Sequence, residues 1–490
     1  MTFLRAAFAS SYGKARPKFF FWYPSGTSAA EKRLLHKIDF FILTYACLGY
    51  FAKWLDQANL SNAYVSGMKE DLGMYGTQYN VATTCFQVGT ILGGIPSNLL
   101  LTWIPPRYLL PGQEFIWGIL TIATFKVSSY NQLYPLRFFI GFLEGSSFVG
   151  VQYVLGSWYK RTEIGKRTAI FACAAYLGTM FSGYIQSGVQ ASLGGHLGIE
   201  PWRWVFIIEG IMTIVIGIYG VIFFPDTPEN TKAFYFTAAE KKRAIQRLVE
   251  DDREPKGEFS WNIFLRVVQS WQFYVLSILW CFWNTTVGKV GNTVMQLYLK
   301  YDTEHEWTVY QINNIPTAIN GFNIAMVLLL NVYVDATGRR MNAIALNVAI
   351  LIFGTACLVA WNIPLGLRIV AYLFAALDGP LSPLFLSWAN VLCGNDKHVR
   401  ALTLAFMNSF GAVTTMLIQQ FLYPTTEAPQ YVRGFRASLA FVCAMGAYVF
   451  VVRWFELRTI REKDMDRERC FEDEDVDTTV VMAAPKAETK

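Results

Sequence analysis

Asp335-Ala336-Thr337-Gly338-Arg339-Arg340 separates two apolar runs, 310–334 and 341–361. Each run has the roughly 20 residues a helix needs to cross the hydrocarbon of a bilayer. Six residues leave room only for a tight reversal, and Gly338 supplies the backbone freedom for it. The hexapeptide therefore reads as the charged turn of a membrane hairpin. Outward from it the pattern repeats. Ten further runs lie at about 39–58, 80–101, 107–127, 131–158, 167–192, 203–224, 270–299, 368–393, 399–423 and 431–456, making twelve spans.

The composition agrees. Of the 490 residues 53% are hydrophobic and 16% charged, where soluble domains average about 25% charged. Too few charges remain to coat a water-facing surface, so the apolar excess is expected to face lipid. Disorder, coiled coil and a disulfide-rich secreted domain are excluded on the same grounds. The eight Cys show no CxxC spacing and read as small core residues. The four His all fall outside the apolar runs, which argues against haem or an embedded metal centre. No P-loop or catalytic triad emerges, so no cofactor, no metal and no enzymatic activity are expected. The net charge of +6 needs no nucleic-acid partner, because basic loops on one side of a membrane explain it.

Those loops set the orientation. Residues 1–38, Arg107, Lys160-Arg161, Lys166-Arg167, the 225–269 connection, Arg339-Arg340, Lys397 and Arg400, and the C-terminal tail share one side. Lys69, Glu70, Asp71, Lys300, Asp302 and Glu304 lie on the other. The basic side is expected to be cytoplasmic, with both termini on it, as an even number of spans requires. The basic stretch 1–38 lacks a sustained apolar core, so no cleavable leader is expected and the run from Asp39 would serve as the insertion signal.

The expected organisation is a cytoplasmic tail at 1–38, a six-helix bundle at 39–224, a cytoplasmic linker at 225–269, a second six-helix bundle at 270–456 and a solvated cytoplasmic tail at 457–490. In the linker, Thr237-Ala238-Ala239-Glu240 reads as a capping box opening an amphipathic helix near 240–250. The two blocks repeat: Arg137 and Arg368, Arg107 and Arg339, and Trp158 and Trp388 stand 231, 232 and 230 residues apart at matching places in the span order. Six spans per block point to a duplicated unit, the plan of many secondary transporters.

Asp335–Arg340 resembles the D-x-x-G-R-R signature of the major facilitator superfamily. The matching first-half loop, Gly94-Ile95-Pro96-Ser97-Asn98 to Pro105-Pro106-Arg107, departs from it, with Asn for Asp and Pro-Pro before the Arg. Leu55–Leu72, Arg137–Gly145, Trp202–Gly210 and Pro225–Glu229 are similar to the fungal anion:cation symporters of the allantoate permease branch, and within it Asn59–Leu72 looks most like the pantothenate-type vitamin transporters. The resemblance implies an all-α membrane protein of two pseudo-repeated six-helix bundles that works by alternating access in the plasma membrane. It also implies a cytoplasmic gate built from Asp335, Gly338, Arg339, Arg340 and Arg107.

Charges inside spans mark candidate sites, because one at mid-bilayer costs about 2.5–3.5 kcal/mol on insertion scales. Arg137 and Glu144, seven residues apart on the fourth span, are expected to share a face. The family's R-x-x-x-G-x-x-E pattern implies Arg137 at a substrate carboxylate and Glu144 as proton carrier; the bland reading is an internal brace. Related carriers often carry Arg where this chain has Gln57, and Lys53, one turn earlier, could supply the cation or merely snorkel. Asn59 lies on the same span, as does Asp56, a second proton-coupling candidate. Lys289, beside two Gly in the seventh span, joins the substrate-binding candidates; Asp378, ahead of Gly379-Pro380 in the tenth, is a proton site or a lock. Asn320, Asn323, Asn408 and Gln419 read as interhelical glue.

The expected function is proton-coupled uptake of a small organic anion, pantothenate first and ureide or other vitamin-like acids behind it. Its partners are then that anion, protons and the lipid bilayer. Rival readings are an exporter of small acids or xenobiotics on the same fold and a nutrient sensor that does not transport.

Overall fold

The computed structural model describes residue 23 and residues 27–250, 261–393 and 397–482. Every regular element among them is helical. Eight segments are long and apolar enough to cross a membrane on length and composition alone: Ala29–Asp71, Tyr130–Trp158, Arg167–Ser192, Pro201–Phe223, Val309–Val334, Arg340–Ala360, Leu402–Phe421 and Val432–Arg461. In chain order these are spans 1, 4, 5, 6, 8, 9, 11 and 12. Gln78–Trp103 and Pro106–Ala123 form spans 2 and 3. Two broken helices, 271–300 and 365–392, form spans 7 and 10.

Several ends differ from the sequence reading. Span 1 opens with Ala29–Ile38, whose Ser28 side chain caps Glu31 N and whose Leu34, Leu35 and Ile38 are buried. The helical run of span 1 thus begins at Ala29, ten residues before the apolar run that starts near Asp39. The helix of span 12 continues to Met482, well past residue 456. The linker helix Ala238–Val249 forms with the expected capping box, Glu240 N donating to Thr237 Oγ1 at 3.2 Å and Thr237 N to Glu240 Oε2 at 2.9 Å. Lys37 and Arg247 tie it to the first half, through Glu240 at 2.7 Å and through Glu31 and Glu163 at 2.6 Å. Linker residues 251–260 and tail residues 483–490, like most of 1–26, lie outside the described residues.

Spans 2 and 4 touch backbone to backbone. A Cβ on Gly93 would come within 2.0 Å of Phe142 O, and one on Gly141 within 2.2 Å of Phe86 O. Small residues admit this approach where lipid provides no hydrophobic drive for helices to associate. The seam holds span 4 in register and so positions its charges.

Spans 4, 7, 8 and 10 are interrupted along their length. Span 4 divides into Tyr130–Glu144 and Ser147–Trp158, and span 8 into Val309–Asn314 and Thr317–Thr337 around Pro316. Span 7 divides into Trp271–Asn284 and Gly291–Lys300 with a short 3-10 turn between them. Span 10 divides into Leu365–Ala375 and Leu381–Leu392 around Gly379-Pro380. Proline explains the breaks in spans 8 and 10. The break in span 4, at Gly145-Ser146, carries none.

Buried apolar residues form three clusters. One lies within the first half, around Leu35, Ala52, Val154 and Phe171, and another within the second, around Leu279, Leu351, Phe385 and Val449. The third joins both halves on the side away from the chain termini, through Tyr64, Tyr79, Tyr298, Tyr372, Tyr431 and Phe435. Hydrogen bonds reinforce that far seam: Asn80 Nδ2 donates to Gln419 O at 2.9 Å, Thr425 N to Asn80 Oδ1 at 3.0 Å, and Asn313 Nδ2 to Ser66 Oγ at 2.9 Å. Lys300 Nζ reaches Glu70 across it at 2.9 Å. The halves are sealed together on the far side, and on the terminal side each keeps a core of its own.

Candidate functional site

Span 1 brings Lys53, Asp56, Gln57 and Asn59 into the first half's interior, and spans 4 and 6 answer them. Arg137 NH1 lies 3.0 Å from Asp56 Oδ2, with the two side chains 2% and 0% exposed. The guanidinium packs 4.8 Å from the Phe86 ring, and Arg137 Nε has no partner. Thr121 Oγ1 approaches the other Asp56 oxygen at 3.5 Å. Arg137 therefore takes Asp56 of span 1 as its ion partner, and not Glu144 of its own helix. Arg137 and Glu144 both lie on the unbroken helix Tyr130–Glu144, but each takes its partner from span 1 and not from the other.

Glu144 meets span 1 instead. Gln57 Nε2 points at Glu144 Oε2 from 3.4 Å, while Lys53 Nζ donates to the Glu144 carbonyl at 3.0 Å and to Ser147 Oγ at 3.2 Å. Lys53 and Gln57, one turn apart, thus serve the same residue. Glu144 Oε1 is buried without a partner. Lys53 is 7% exposed, so it does not snorkel to an interface.

Asn59 opens a chain of hydrogen bonds. It donates to Glu209 of span 6 and accepts from Ser182 of span 5. Ser182 in turn accepts from Asn62, and Asn62 accepts from Gln296 of span 7 in the other half. A continuous polar path leads from a buried carboxylate to the far seam.

The second half has a single pair at its breaks. Lys289 Nζ lies 2.9 Å from Asp378 Oδ2 and 3.1 Å from the centre of the Trp283 ring. Trp283 Nε1 donates to Asp378 O at 2.9 Å, and Thr286 Oγ1 reaches Asp378 Oδ2 at 3.4 Å. A Cβ on Gly288 would stand 2.2 Å from Asp378 Oδ1, so the absent side chain makes room for the pair. Asn323 bridges the break of span 10, accepting from Gly379 N at 2.9 Å and donating to Ala376 O at 3.0 Å. Asn320 pairs with Asn292 at 3.1 Å. Both behave as the interhelical glue their residue type suggested.

At the terminal side Gly338 adopts φ 66°, the left-handed cap of span 8 expected of the hairpin turn. Arg339 is exposed, Arg107 half-buried, and the Arg340 guanidinium stands 5.9 Å from the Trp388 ring. The Asp335 side chain lies outside the described residues.

Sequence reasoning passed over two carboxylates. Glu114 of span 3 and Glu209 of span 6 are 2% and 1% exposed. Glu209 lies in a quoted motif and Glu114 in none, yet both stand inside apolar runs, which by itself marks an ionisable residue as a candidate. Apart from Glu163 and Arg167 at the terminal-side end of span 5, which pair with Arg247 and Asp39, the first half's described spans thus bury four carboxylates, Asp56, Glu114, Glu144 and Glu209, and two cations, Lys53 and Arg137.

Residues 46–419 match the family model described as Major Facilitator Superfamily. The "MFS transporter PfmaC" of Pestalotiopsis fici is 37% identical over 436 residues, 88% of this chain and 82% of that one. The "Pantothenate transporter liz1" of Schizosaccharomyces pombe is 36% identical over 444 residues, covering 89% and 85%. Among solved structures, the proton:xylose symporter XylE bound to 6-bromo-6-deoxy-D-glucose superposes with a TM-score of 0.65 at 15% identity, over 85% of this chain and 95% of that one.

Proposed function

The chain belongs to the major facilitator superfamily, and from that premise we propose that it carries a small organic carboxylate of the pantothenate class across the plasma membrane, coupled to protons. As a member it is an integral multi-pass transporter, not an enzyme. The name of the Schizosaccharomyces relative supports the substrate class.

The observation that carries the coupling is the surplus of buried carboxylates over cations in the first half. Fully ionised, four carboxylates around Lys53 and Arg137 leave two negative charges uncompensated in a low-dielectric interior. Such charges are strongly disfavoured unless paired or neutralised by protons. Each half also holds one cation against an Asp, Arg137 with Asp56 and Lys289 with Asp378. A substrate carboxylate that takes over either cation adds to that surplus, and a proton carried on Glu144, whose Oε1 is buried without a partner, offsets it. Anion entry and proton uptake become one event.

Charge balance gives the direction its driving force. An inside-negative potential opposes an entering anion by about 2.3 kcal/mol per charge for each 100 mV. One co-transported proton cancels that opposition and a second reverses it. With the termini cytoplasmic, the sealed far side is the outer one and the structure faces the cytoplasm.

Proteoliposomes test the reading. Labelled pantothenate should accumulate when the outside is acidic, and more so with an inside-negative potential. A competition panel of carboxylates then ranks the cargo. Accumulation indifferent to the pH gradient defeats the proton coupling. Efflux of pre-loaded substrate as the only driven flux supports the exporter.

A further inference from the structure

Glu114 belongs to neither charge pair, yet it faces a cavity. A small cavity of about 20 Å³, room for about one water, lies between spans 1, 3, 4 and 5, lined by Gly49, Gln113, Glu114, Ser146 and Ser147 together with apolar and aromatic side chains. One carboxylate oxygen of Glu114 accepts from the Tyr45 hydroxyl at 2.7 Å, and the other, Oε1, is buried without a partner. Gly49 admits the carboxylate to span 1: a Cβ there would stand 2.9 Å from Glu114 Oε1. The neighbouring polar groups are already organised, Ser146 Oγ donating to Gln113 Oε1 at 2.5 Å and Gln113 Nε2 to Ser97 Oγ at 2.9 Å. An unmatched carboxylate oxygen in a pocket with several polar groups is where a water finds partners.

The cavity also touches the transport site. Ser147 lines it, accepts from Lys53 Nζ at 3.2 Å and donates to the Glu144 carbonyl at 2.9 Å. Glu114 lies eight residues into Pro106–Ala123, about 12 Å from its terminal-side end. Glu144 lies fourteen residues from the terminal-side end of Ser147–Trp158, about 21 Å. Ser147 meets the backbone carbonyl of Glu144 and lines the cavity, and of the two acids Glu114 stands nearer the terminal side.

We propose that Glu114 is a relay for the transported proton, receiving it from Glu144 through water in this cavity and passing it toward the terminal-side solution. This rests on the proton-coupled reading above. In the step, the Glu144 carboxylic acid loses a proton to a cavity water, that water gives one to the Glu114 carboxylate, and the water is regenerated. Glu144 ends as a carboxylate and Glu114 as an acid. The groups around Glu114 favour such a carrier. Span 1 presents Tyr45 and Tyr50, and span 5 presents Phe171. Span 4 presents Ser146 and Ser147, with Glu144 and Lys53 beyond them. Span 2 presents Ser97 through Gln113, and span 6 packs Gly217 and Gly220 against Pro111 and Phe115 on the neighbouring turn of span 3. No cation among the described partners locks Glu114 in its ionised form.

Glu114→Gln keeps an acceptor for Tyr45 and removes only the proton. In proteoliposomes, the relay requires that this variant bind pantothenate with wild-type affinity while proton-driven uptake falls about tenfold or more, the loss typical of removing a positioned acid–base group. Exchange of pre-loaded substrate, which needs no net proton release, should persist. Tyr45→Phe guards against a Gln variant that fails to assemble: losing the Tyr45 hydroxyl that Glu114 accepts from should displace the pH midpoint of uptake by about half a unit or more. Wild-type uptake and pH profile in both variants overturn the relay and leave coupling at Glu144 intact. A wild-type protein without proton-driven uptake instead sinks the underlying function. Loss of exchange and driven uptake together in Glu114→Gln, with an unmoved midpoint in Tyr45→Phe, makes Glu114 a structural brace.

Discussion

Arg137 was legible as a charge inside a span; its partner was not. Asp56 stands 81 residues away on another helix, and only the packing of spans 1 and 4 brings the two together at 3.0 Å. The pairing sharpens what a substitution should do. Arg137→Lys keeps the charge beside Asp56 but loses the planar fork. With one charge-assisted hydrogen bond worth about 1.5–3 kcal/mol, uptake should fall about tenfold or more at normal surface level. Near-normal uptake would make Arg137 a brace. Glu144→Gln should abolish pH-driven accumulation and spare exchange, since the amide keeps the contact with Gln57 and loses the titration. If that variant still concentrates substrate, the proton carrier is Asp56, Glu209 or Asp378. Lys53→Ala should raise the apparent KM for an anion by removing the cation 3.0 Å from the Glu144 carbonyl. An unchanged KM excludes Lys53 from the site.

Helices were easier to read than their interruptions. The proline-marked break of span 10 and the Gly-flanked one of span 7 were visible in the residues, because missing donors and missing Cβ atoms are local properties. The break of span 4 was not, since Gly145 reads equally well as a packing glycine, and its approach to Thr90 O and Gly94 N across the span 2 seam is a tertiary fact. That seam makes a prediction. Gly141→Ala drives a Cβ against the Phe86 carbonyl and should destabilise the fold by about 1–3 kcal/mol, seen as a lower Tm in detergent. A Tm unchanged from wild type would mean that the helices can slide apart freely.

The linker helix offers a pH-dependent counterpart. Burial alone would raise the Glu240 carboxyl, but the Lys37 ammonium and the Thr237 cap outweigh it and hold the group below its ordinary 4.5. A group lowered by folding stabilises the docked helix above its unfolded value and loses that contribution as pH falls through the folded one. Protection of the 238–249 amides, taken relative to their intrinsic exchange rate at each pH, should therefore stay high at neutral pH and fall below about pH 4. Protection factors that do not change with pH would show that Lys37 and Glu240 do not hold the helix down.

At the scale of the molecule, the twelve spans and the duplicated plan followed from hydrophobic period and charge placement, which need no tertiary knowledge. Which side is closed did not, because the far seam is written in scattered residues such as Asn80, Thr425, Asn62 and Gln296 that look like ordinary span polars. Asn80→Ala removes the acceptor of Thr425 N and the donor to Gln419 O, and should shift the population toward a far side that is open. Cysteines placed at Gly76 and Thr425, whose backbone and side chain meet at 2.6 Å, should cross-link readily in the parent and more slowly in the Asn80→Ala background. Equal rates would mean that the tyrosine cluster alone keeps the seam shut.

The shared tyrosine core on one side and the two separate cores on the other also have a kinetic consequence. On the proposed uptake reading, an empty carrier that rests with its far side sealed is parked facing the compartment into which it has just unloaded. At saturating outside substrate, turnover is then set by the trip home without cargo and not by capture. Pre-filling that compartment with unlabelled substrate should speed the entry of label, since a loaded carrier returns sooner than an empty one.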